Sequence, residues 1–247
     1  MPAVTTEGVR RSNLAATLGI LYHHGPASRA TLSKRTGRNR STIASLVADL
    51  VDLGLVVESD PDPIGQVGRP SPAVSIRPEV TAIAVNPEID ALTIGLVGLD
   101  GKVRRVIRHE YDRIPTASEL LSITAAVLAG MQLELDGLLV VGIGVALPGQ
   151  VRTHDGLVRN APHLGWHDEP FAEPLAAATG YRVRVANDAA LGALAEHSFG
   201  AGRGKNNLIY LNGGASGIGG GVIASGRLLG GSAGYAGELG HIRVSSS

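Results

Sequence analysis

A basic helix-turn-helix pattern near the start of the chain limits the possible folds more than any other feature. Ser28 can cap a helix that runs to about Thr36, Gly37 supplies a turn, and Ser41 can cap the next helix. Apolar residues then recur at positions 43, 46, 47 and 50, which is the spacing of one helix face. The segment 28–47 contains no acidic residue and five basic ones: Arg29, Lys34, Arg35, Arg38 and Arg40. Because the whole chain has 22 basic and 22 acidic residues, this local concentration of positive charge predicts a DNA-binding surface.

The flanking residues extend this pattern to a module over residues 1–77. A first helix is expected from the helical spacing of its leucines, with Ser12 or Asn13 as its N-cap. Strands are expected at 55–58 and 73–76, separated by a long loop. Helices followed by two strands and a wing loop predict an α+β winged helix-turn-helix domain.

The expected DNA contacts follow from this arrangement. The third helix would lie in the major groove, and Arg69, held between Gly68 and Pro70, would enter the minor groove. The predicted contact residues are Arg29, Lys34, Arg38, Arg40, Ser41, Thr42 and Arg69. The alternative is that the basic side chains form an ordinary solvated surface, which is what a charge run alone would favour.

Residues 78–247 show a different pattern, in which strands and helices alternate. Helices are expected over 118–131, 169–179 and 189–198. Strands are expected over 81–85, 91–97, 102–108, 138–145, 183–186, 207–211 and 218–223. Glycine-rich turns follow several of these strands, so the pattern predicts an α/β domain with a mixed sheet and a ligand site beyond the strand ends.

Composition excludes several classes of protein. The chain has no cysteine, which excludes disulfides, zinc–thiolate sites and thiol catalysis within it. Residues 1–11 contain no apolar signal-peptide core, and the longest apolar runs, such as 138–147, are too short and too interrupted by glycine to span a bilayer. A cytoplasmic protein without a membrane span is therefore expected.

Four motifs occur in order along the larger segment. They are Ala161–Trp166, Val185–Ala190, Ser216–Gly221 and Ala236–His241. Their order and spacing resemble the ROK family, which comprises repressors, open reading frames and sugar kinases. The N-terminal module with Gly68-Arg69-Pro70 is similar to the transcriptional repressors of that family. The resemblance implies an actin/hexokinase-like ATPase fold for residues 78–247, with a sugar bound in its cleft.

The resemblance also implies roles for individual residues. Asp188 stands where the kinase members keep a general base, here vestigial, which would take a proton from a sugar hydroxyl. The sugar-binding residues implied are Gly149, Gln150, Asn187, Asp188, Glu238 and His241. The residues that resemble a phosphate loop are Ser216, Gly217 and Gly219.

Simpler interpretations stand beside these roles. Asn187 and Asp188 follow a strand, where such residues often only cap the next helix. The glycines of 213–221 can simply form a hairpin, and Glu238 and His241 can be exposed loop residues. Three more histidines have no partner pattern and are expected at the surface: His154, His163 and His167.

Two departures from the family pattern bear on function. The stretch 85–92 corresponds to a phosphate loop of the kinases, but it has no glycine and it places Glu88 and Asp90 where phosphate would approach. Phosphoryl transfer from ATP is therefore not expected, and no cofactor is expected either. The chain also ends at Ser247, before the family's cysteine-rich zinc loop and most of its second lobe. A C-terminally truncated ROK domain with an incomplete second lobe, and no structural zinc at His241, is expected.

Together these features predict a repressor-type transcriptional regulator of carbohydrate metabolism whose DNA affinity depends on a sugar or a sugar phosphate. The expected partners are operator DNA, the sugar effector and a second copy of the chain in a homodimer. One alternative is an ATP-dependent sugar kinase with an accessory DNA-binding module, which Asp188 supports. Another is a fragment that binds neither sugar nor nucleotide.

Overall fold

The computed structural model describes residues 5–59, 72–214 and 217–242. The chain folds as two compact units. The first holds the described residues up to Thr81 together with 98–102 and 137–139, and the second holds the other described residues. Within these ranges no helix is both long enough and apolar enough to cross a membrane.

The first unit is a winged helix-turn-helix. Its elements are α1 (Thr6–His24), β1 (Ala27–Ser28), α2 (Arg29–Thr36), α3 (Arg40–Asp52), β2 (Val56–Ser59) and β3 (Ala73–Ile76). The strands form an antiparallel sheet in the order β1-β3-β2, in which Ser59 pairs with Ala73 at the base of the wing. Buried Leu32, Ile43 and Val47 join the helices to this sheet in one apolar core. The wing loop and Arg69 lie outside the described residues.

The helix starts agree with the sequence prediction at α2 and differ from it at α3. Ser28 caps α2, because its hydroxyl oxygen accepts a hydrogen bond from the backbone N–H of Thr31. The predicted cap at Ser41 is wrong, because α3 is capped by Asn39. The Asn39 side-chain oxygen accepts from the Thr42 N–H at 2.8 Å and from the Ser41 hydroxyl at 2.9 Å. Asparagine caps a helix at least as well as serine, and this choice places Ser41 inside the first turn.

The first helix is longer than its apolar pattern predicts. It begins at Thr6 with Thr5 as its N-cap, so the predicted cap at Ser12 or Asn13 is wrong. The Thr5 hydroxyl oxygen accepts from the Gly8 N–H at 3.1 Å. The residues of the first two turns are exposed, which is why the apolar periodicity starts later than the helix does.

The second unit is an α/β fold. Its elements begin with β4 (Val80–Pro87), β5 (Ala91–Gly98), β6 (Val103–Glu110), α4 (Ala117–Gly130), α5 (Gln132–Leu135), β7 (Leu139–Leu147), β8 (Gln150–Arg152), β9 (Leu157–Ala161) and β10 (Trp166–Pro170). They continue with α6 (Ala172–Thr179), β11 (Val183–Asn187), α7 (Asp188–Ser198), β12 (Leu208–Gly214), β13 (Gly217–Ala224) and β14 (Arg227–Leu228). Short 3-10 helices cover Pro162–Leu164 and Leu239–His241.

The main sheet of this unit has the strand order β11-β7-β4-β5-β6. Strand β11 runs parallel to β7, whereas β5 and β6 are antiparallel, so the sheet is mixed as predicted. The carboxyl ends of β7 and β11 therefore lie side by side, and α7 starts directly after β11. This is the sheet edge at which α/β folds place their ligands.

One predicted element of this unit is wrong in part. The helix expected from position 169 starts at Ala172, and residues 166–170 instead form β10, which pairs antiparallel with β9. Glu169 precedes Pro170, and the residue before a proline is disfavoured in the helical conformation. Buried Trp166 also stacks on Phe171 with ring centroids 5.6 Å apart, which fixes this strand against the start of α6.

Candidate functional site

The basic turn of the first unit presents several cations without carboxylate partners. Lys34, Arg38 and Arg40 are exposed, and no carboxylate among the described residues forms an ion pair with any of them. Gly37 forms the turn in the left-handed conformation at φ +67°, with open space around its Cα. The Ser33 hydroxyl donates to the carbonyl oxygen of Arg38, which fixes the chain after the turn. These three cationic side chains therefore present positive charge, unpaired among the described residues, before and at the start of α3.

Helix α3 has an exposed face of small side chains beside these cations. Ser41, Ser45 and Ala48 are exposed, whereas Ile43 and Val47 are buried on the opposite face. Thr42 is half-buried, and its N–H is taken by the cap. Short side chains allow the helix backbone to approach another surface closely, as a groove-reading helix must.

Arg29, another predicted DNA contact, is tied to the wing. Its guanidinium donates two hydrogen bonds to the Glu58 carboxylate on β2, at 2.7 and 2.5 Å. This bidentate geometry is the strongest arrangement for such a pair. Arg10 of α1 makes a similar link, because it forms an ion pair with Asp49 and donates to the Ser45 hydroxyl at 3.2 Å. Arg29 thus links α2 to β2, Arg10 links α1 to α3, and each arginine has part of its charge neutralised.

The second unit contains a cavity of about 490 Å³, with both polar and apolar lining residues, at the sheet edge described above. The β4–β5 turn, the end of β7, the 3-10 helix at 162–164, the first turns of α7 and part of β12 form its walls. Its polar lining residues are Asn86, Glu88, Asp90, His163, Asp188 and Asn212. A cavity of this size with a few polar groups is typical of a small-molecule site.

Asp188 is placed in this cavity by the junction of β11 and α7. It is the first residue of α7, and its carboxylate accepts from the Ala189 N–H at 2.7 Å. Burial raises the pKa of the Asp188 carboxyl above its usual range, and the backbone hydrogen bond and His163 oppose this rise. A carboxylate that holds its proton more firmly than usual is a better base, which is the chemistry expected of this position.

Asn187 and Gly149 lie together beside Asp188. The Asn187 amide donates to the Gly149 carbonyl oxygen at 2.9 Å and accepts from the Ala190 N–H at 2.9 Å. Asn187 is therefore the N-cap of α7, as the simpler interpretation expects. Gly149 has φ +122°, and a Cβ there would lie 2.4 Å from the Asn160 carbonyl oxygen, so only glycine fits. Gln150 follows in β8 and pairs with Asn160.

An acidic turn forms one wall of the cavity. Arg108 on β6 donates to the Glu88 carboxylate and to the Asp90 carboxylate, each at 2.8 Å. The Tyr111 hydroxyl lies against the carbonyl oxygens of Glu88 and Ala91, the latter at 2.8 Å. Burial, with the Asp90 and Glu88 carboxylates nearby, raises the pKa of Tyr111 to about 12. The turn that corresponds to a phosphate loop is thus a fixed acidic structure.

The glycines of the predicted phosphate loop have packing roles. A Cβ on Gly219 would lie 2.8 Å from the Cβ of Ala189, so this glycine lets β13 approach α7. Gly217, at φ +120°, faces His163, whose Nε2 would be 4.0 Å from a Cβ at this position. Ser216 lies outside the described residues. The hairpin interpretation of these glycines therefore has direct structural support.

Glu238 and His241 are not among the described residues that line the cavity. Their side chains lie 3.8 Å apart; Glu238 precedes the 3-10 helix at 239–241, and His241 is its last residue. His163, expected only at the surface, is exposed and also lines the cavity. Asn86 and Asn212 line the cavity as well, although no sequence signal indicated them. The signal for His163 was its place in the motif Ala161–Trp166. In the described part of the chain, no three His, Asp or Glu side chains are arranged to hold a metal ion.

Comparisons with known proteins agree with both halves of this picture. The sequence profile of the ROK family matches residues 83–247, and that of the MarR family matches residues 15–63. The xylose repressor of Bacillus subtilis strain 168 is 28% identical over 242 residues, which cover 96% of this chain and 61% of that repressor. A glucokinase of Thermotoga maritima is 36% identical over 154 residues, which cover 62% of this chain and 47% of the kinase.

A solved structure is similar along nearly the whole chain. It is a ROK family transcriptional regulator, a homologue of the E. coli MLC protein, with a TM-score of 0.82 and 28% identity over 96% of this chain and 60% of that chain. The regulators therefore match both units, whereas the glucokinase matches only part of the chain. The chain spans about half the length of the curated relatives that it matches.

Proposed function

The chain belongs to the ROK family, and on this premise we propose that it is a DNA-binding transcriptional regulator that represses genes of carbohydrate metabolism and responds to a sugar. The first unit binds operator DNA, and the second unit binds the effector. Because a ligand shifts DNA affinity only through its different affinity for two states of the protein, the sugar must favour one of them.

The observation that carries this proposal is the basic turn of the first unit. Lys34, Arg38 and Arg40 have no carboxylate partners among the described residues and surround the start of a helix with a small, exposed face. Such cations bind phosphates, while Ser41 and Thr42 lie in the first turn that would approach bases. Arg29 contributes by holding β2 against α2, and Arg69 is proposed as a minor-groove contact on its sequence context alone.

The cavity at the start of α7 supports the sugar effector. A volume of about 490 Å³ accommodates a monosaccharide, and the lining amides, imidazole and carboxylates suit hydroxyl groups. We place Asp188 at the centre of this site, with Asn187, Gly149 and Gln150 at its edge. Glu238 and His241 belong to the proposed site only if the 234–242 segment approaches the cavity when sugar binds.

Asp188 also favours a second candidate function, an ATP-dependent sugar kinase. Its raised pKa and its position suit a base that takes a proton from a sugar hydroxyl. The acidic turn argues against this candidate, because Glu88 and Asp90 line the cavity and stand in the turn that resembles the kinases' phosphate loop. ATP-dependent phosphorylation of a hexose that is lost in Asp188→Asn would establish the kinase instead.

The proposed regulator acts in the cytoplasm, where its operator is, as a homodimer whose two copies each read one half-site. A symmetric dimer on a palindromic operator is the common solution for helix-turn-helix proteins. Analytical ultracentrifugation, with and without an operator duplex selected from randomised DNA, would test whether the chain is a dimer.

DNA binding is tested by removing the free cations. Arg40→Ala should weaken binding to a pool of randomised duplexes, and the combined replacement of Lys34, Arg40 and Arg69 by alanine should weaken it further. The slope of log affinity against log salt should fall by about 0.9 for each phosphate that the variant no longer binds. Arg184→Ala, which removes an exposed arginine from the second unit, is the matched control. If the triple variant bound DNA as the unchanged protein does, the proposed DNA-binding face would be wrong.

A further inference from the structure

The cavity at the start of α7 has three carboxylates in its lining: Glu88, Asp90 and Asp188. The other described polar groups of the lining are the amides of Asn86 and Asn212 and the imidazole of His163. No lysine or arginine occurs among the described lining residues. Such a wall offers acceptors and amide donors to hydroxyl groups, but it offers no fixed positive charge to an anion.

Arg108 is bound to the carboxylates of this wall. Arg108 donates to Glu88 and to Asp90, each at 2.8 Å, and its Nε lies 3.6 Å from the Glu110 carboxylate. One guanidinium is therefore shared by three carboxylates, so this cluster keeps a net negative charge. A phosphate group that entered the cavity would therefore meet an Arg108 whose charge is already shared by three carboxylates.

Neighbouring side chains also hold the backbone of the turn and the Glu88 carboxylate. The Tyr111 hydroxyl holds the carbonyl oxygens of Glu88 and Ala91, and the Asn86 amide donates to the Glu88 carboxylate at 3.2 Å. The turn contains no glycine, and Pro87 has no N–H to donate. A nest of backbone donors, which phosphate loops use, is therefore missing from this described turn.

The start of α7 offers no anion site either. The first N–H groups of a helix attract phosphate when they are free. Here the Asp188 carboxylate accepts from the Ala189 N–H, and the Asn187 amide oxygen accepts from the Ala190 N–H. The protein's own side chains thus occupy the donors that an anion would use, and one of those side chains is itself an anion.

We propose that the effector cavity selects an unphosphorylated, uncharged sugar and rejects sugar phosphates. This inference rests on the proposed function, in which the cavity binds a sugar effector. It resolves the choice between a sugar and a sugar phosphate that the sequence leaves open, because a phosphate monoester would meet three carboxylates and no free cation or free helix N–H in the described lining.

Matched pairs of ligands test the inference. Isothermal titration and thermal melting would compare glucose with glucose 6-phosphate, xylose with xylose 5-phosphate, and N-acetylglucosamine with its 6-phosphate. At least one free sugar should bind, and its phosphate ester should bind about tenfold or more weakly, since like charges in a partly buried site repel by more than the thermal energy. This difference in affinity between the free sugar and its phosphate should become smaller at high salt, because screening weakens the repulsion.

Variants of the acidic turn test whether its carboxylates cause the weaker binding of the sugar phosphate. Glu88→Gln combined with Asp90→Asn should lower the ratio of the sugar phosphate's dissociation constant to that of the free sugar, whatever its effect on the free sugar itself. Glu110→Gln is the matched control, because Glu110 also faces Arg108 but is not among the described lining residues. If the double variant does not fold, Asp90→Asn alone can replace it in the same comparison, because the Asp90 side chain is exposed.

Each outcome has a distinct meaning. A sugar phosphate that binds as tightly as its free sugar, or more tightly, overturns the inference but leaves a sugar-responsive regulator intact. An affinity gap that persists unchanged in the folded turn variants overturns the assignment of that rejection to the carboxylates of the turn. Absence of binding by every sugar and every phosphate refutes the proposed effector function, and the inference fails with it.

Discussion

Replacing Gly221 by alanine is expected to push helix α7 away from strand β13. A Cβ on Gly221 would lie 2.5 Å from the Cβ of Ala193, 2.9 Å from the Ala189 carbonyl oxygen and 3.3 Å from the Ala190 Cα. Ala189 and Ala193 are themselves 1% and 0% exposed, so the contact has no free space around it. The new methyl group would therefore require the helix or the strand to move.

The size of the effect follows from these distances. Carbon atoms in normal contact are about 3.5–4.0 Å apart, so the 2.5 Å approach requires a displacement of roughly 1 Å. The opposing atoms are backbone atoms and a methyl group, and no rotamer change can relieve the clash. Overpacking of a core costs about 1–3 kcal/mol, and we expect the upper half of that range here. For a chain of this size each kcal/mol lowers the Tm by about 2–4 °C, which predicts a loss of about 5–10 °C.

Thermal melting and urea denaturation would measure this loss, with Gly213→Ala as the control. Gly213 lies on the adjacent strand β12, where a Cβ would meet nothing within 4 Å, so its replacement should be neutral or slightly stabilising. Because Asp188 begins α7, Gly221→Ala should also weaken the sugar response while leaving DNA binding by the first unit unchanged. Equal Tm values for the two variants would refute the assigned packing of α7 on β13.

Three further predictions concern single side chains. Asp188→Asn should raise the Tm at neutral pH, because burial raises the pKa of this carboxyl and makes its charged form costly in the folded state. The gain in Tm should vanish in acid, where the carboxyl is protonated in both the folded and the unfolded state. A gain in Tm that does not depend on pH would contradict this cause. Asn39→Ala should lower the free energy of unfolding of the first unit by about 1 kcal/mol in urea titrations, whereas Ser41→Ala should change it little; the reverse order would return the cap to Ser41. Glu58→Gln should release Arg29 toward phosphate and steepen the salt dependence of DNA binding by about 0.9, and an unaltered slope would show that Arg29 does not reach DNA.

The sequence predicts those parts of the fold whose signals are local. The Ser28 cap, the Gly37 turn and the bounds of β3 each follow from a few neighbouring residues, and the structure confirms all three. The start of α1 could not be predicted in the same way. Its first turns are exposed on all sides, so they carry no apolar periodicity, and their only signal is the cap at Thr5.

Features that depend on distant residues are beyond the sequence. The strands of the β8–β9–β10 sheet are short, and their alternation of apolar and polar residues is too brief to distinguish them from a loop. The register of this sheet depends on contacts between the strands. The link from Arg108 to Glu88 and Asp90 arises because the β5–β6 register brings Arg108 beside the turn. The motif glycines stand out in the sequence, but their use in packing β13 on α7 is visible only when both elements are present.

At the candidate site the sequence predicts on which element each residue lies, but it does not predict all the side chains that line the cavity. Asn187, Asp188 and Gly149 are expected at strand ends and lie there together. The facing wall is expected only as a turn unsuited to phosphate, and His163 is expected to be plain surface. Which side chains line a cavity is decided by the packing of separate strands, and the spacing within any one of them does not reveal it.

The Asn187 amide is immobilised before any ligand arrives. One of its N–H groups is bound to the Gly149 carbonyl oxygen, and its oxygen is bound to the Ala190 N–H, so folding has already restricted its side-chain rotation. An amide has two N–H groups and two lone pairs, and one of each therefore remains to be offered in a fixed direction. A hydroxyl group that meets this amide would form its bond without the entropy loss of ordering a free side chain. Recognition at this corner of the fold is thus prepared by helix capping, and the helix that Asn187 starts supplies the rigidity that a loop residue would lack.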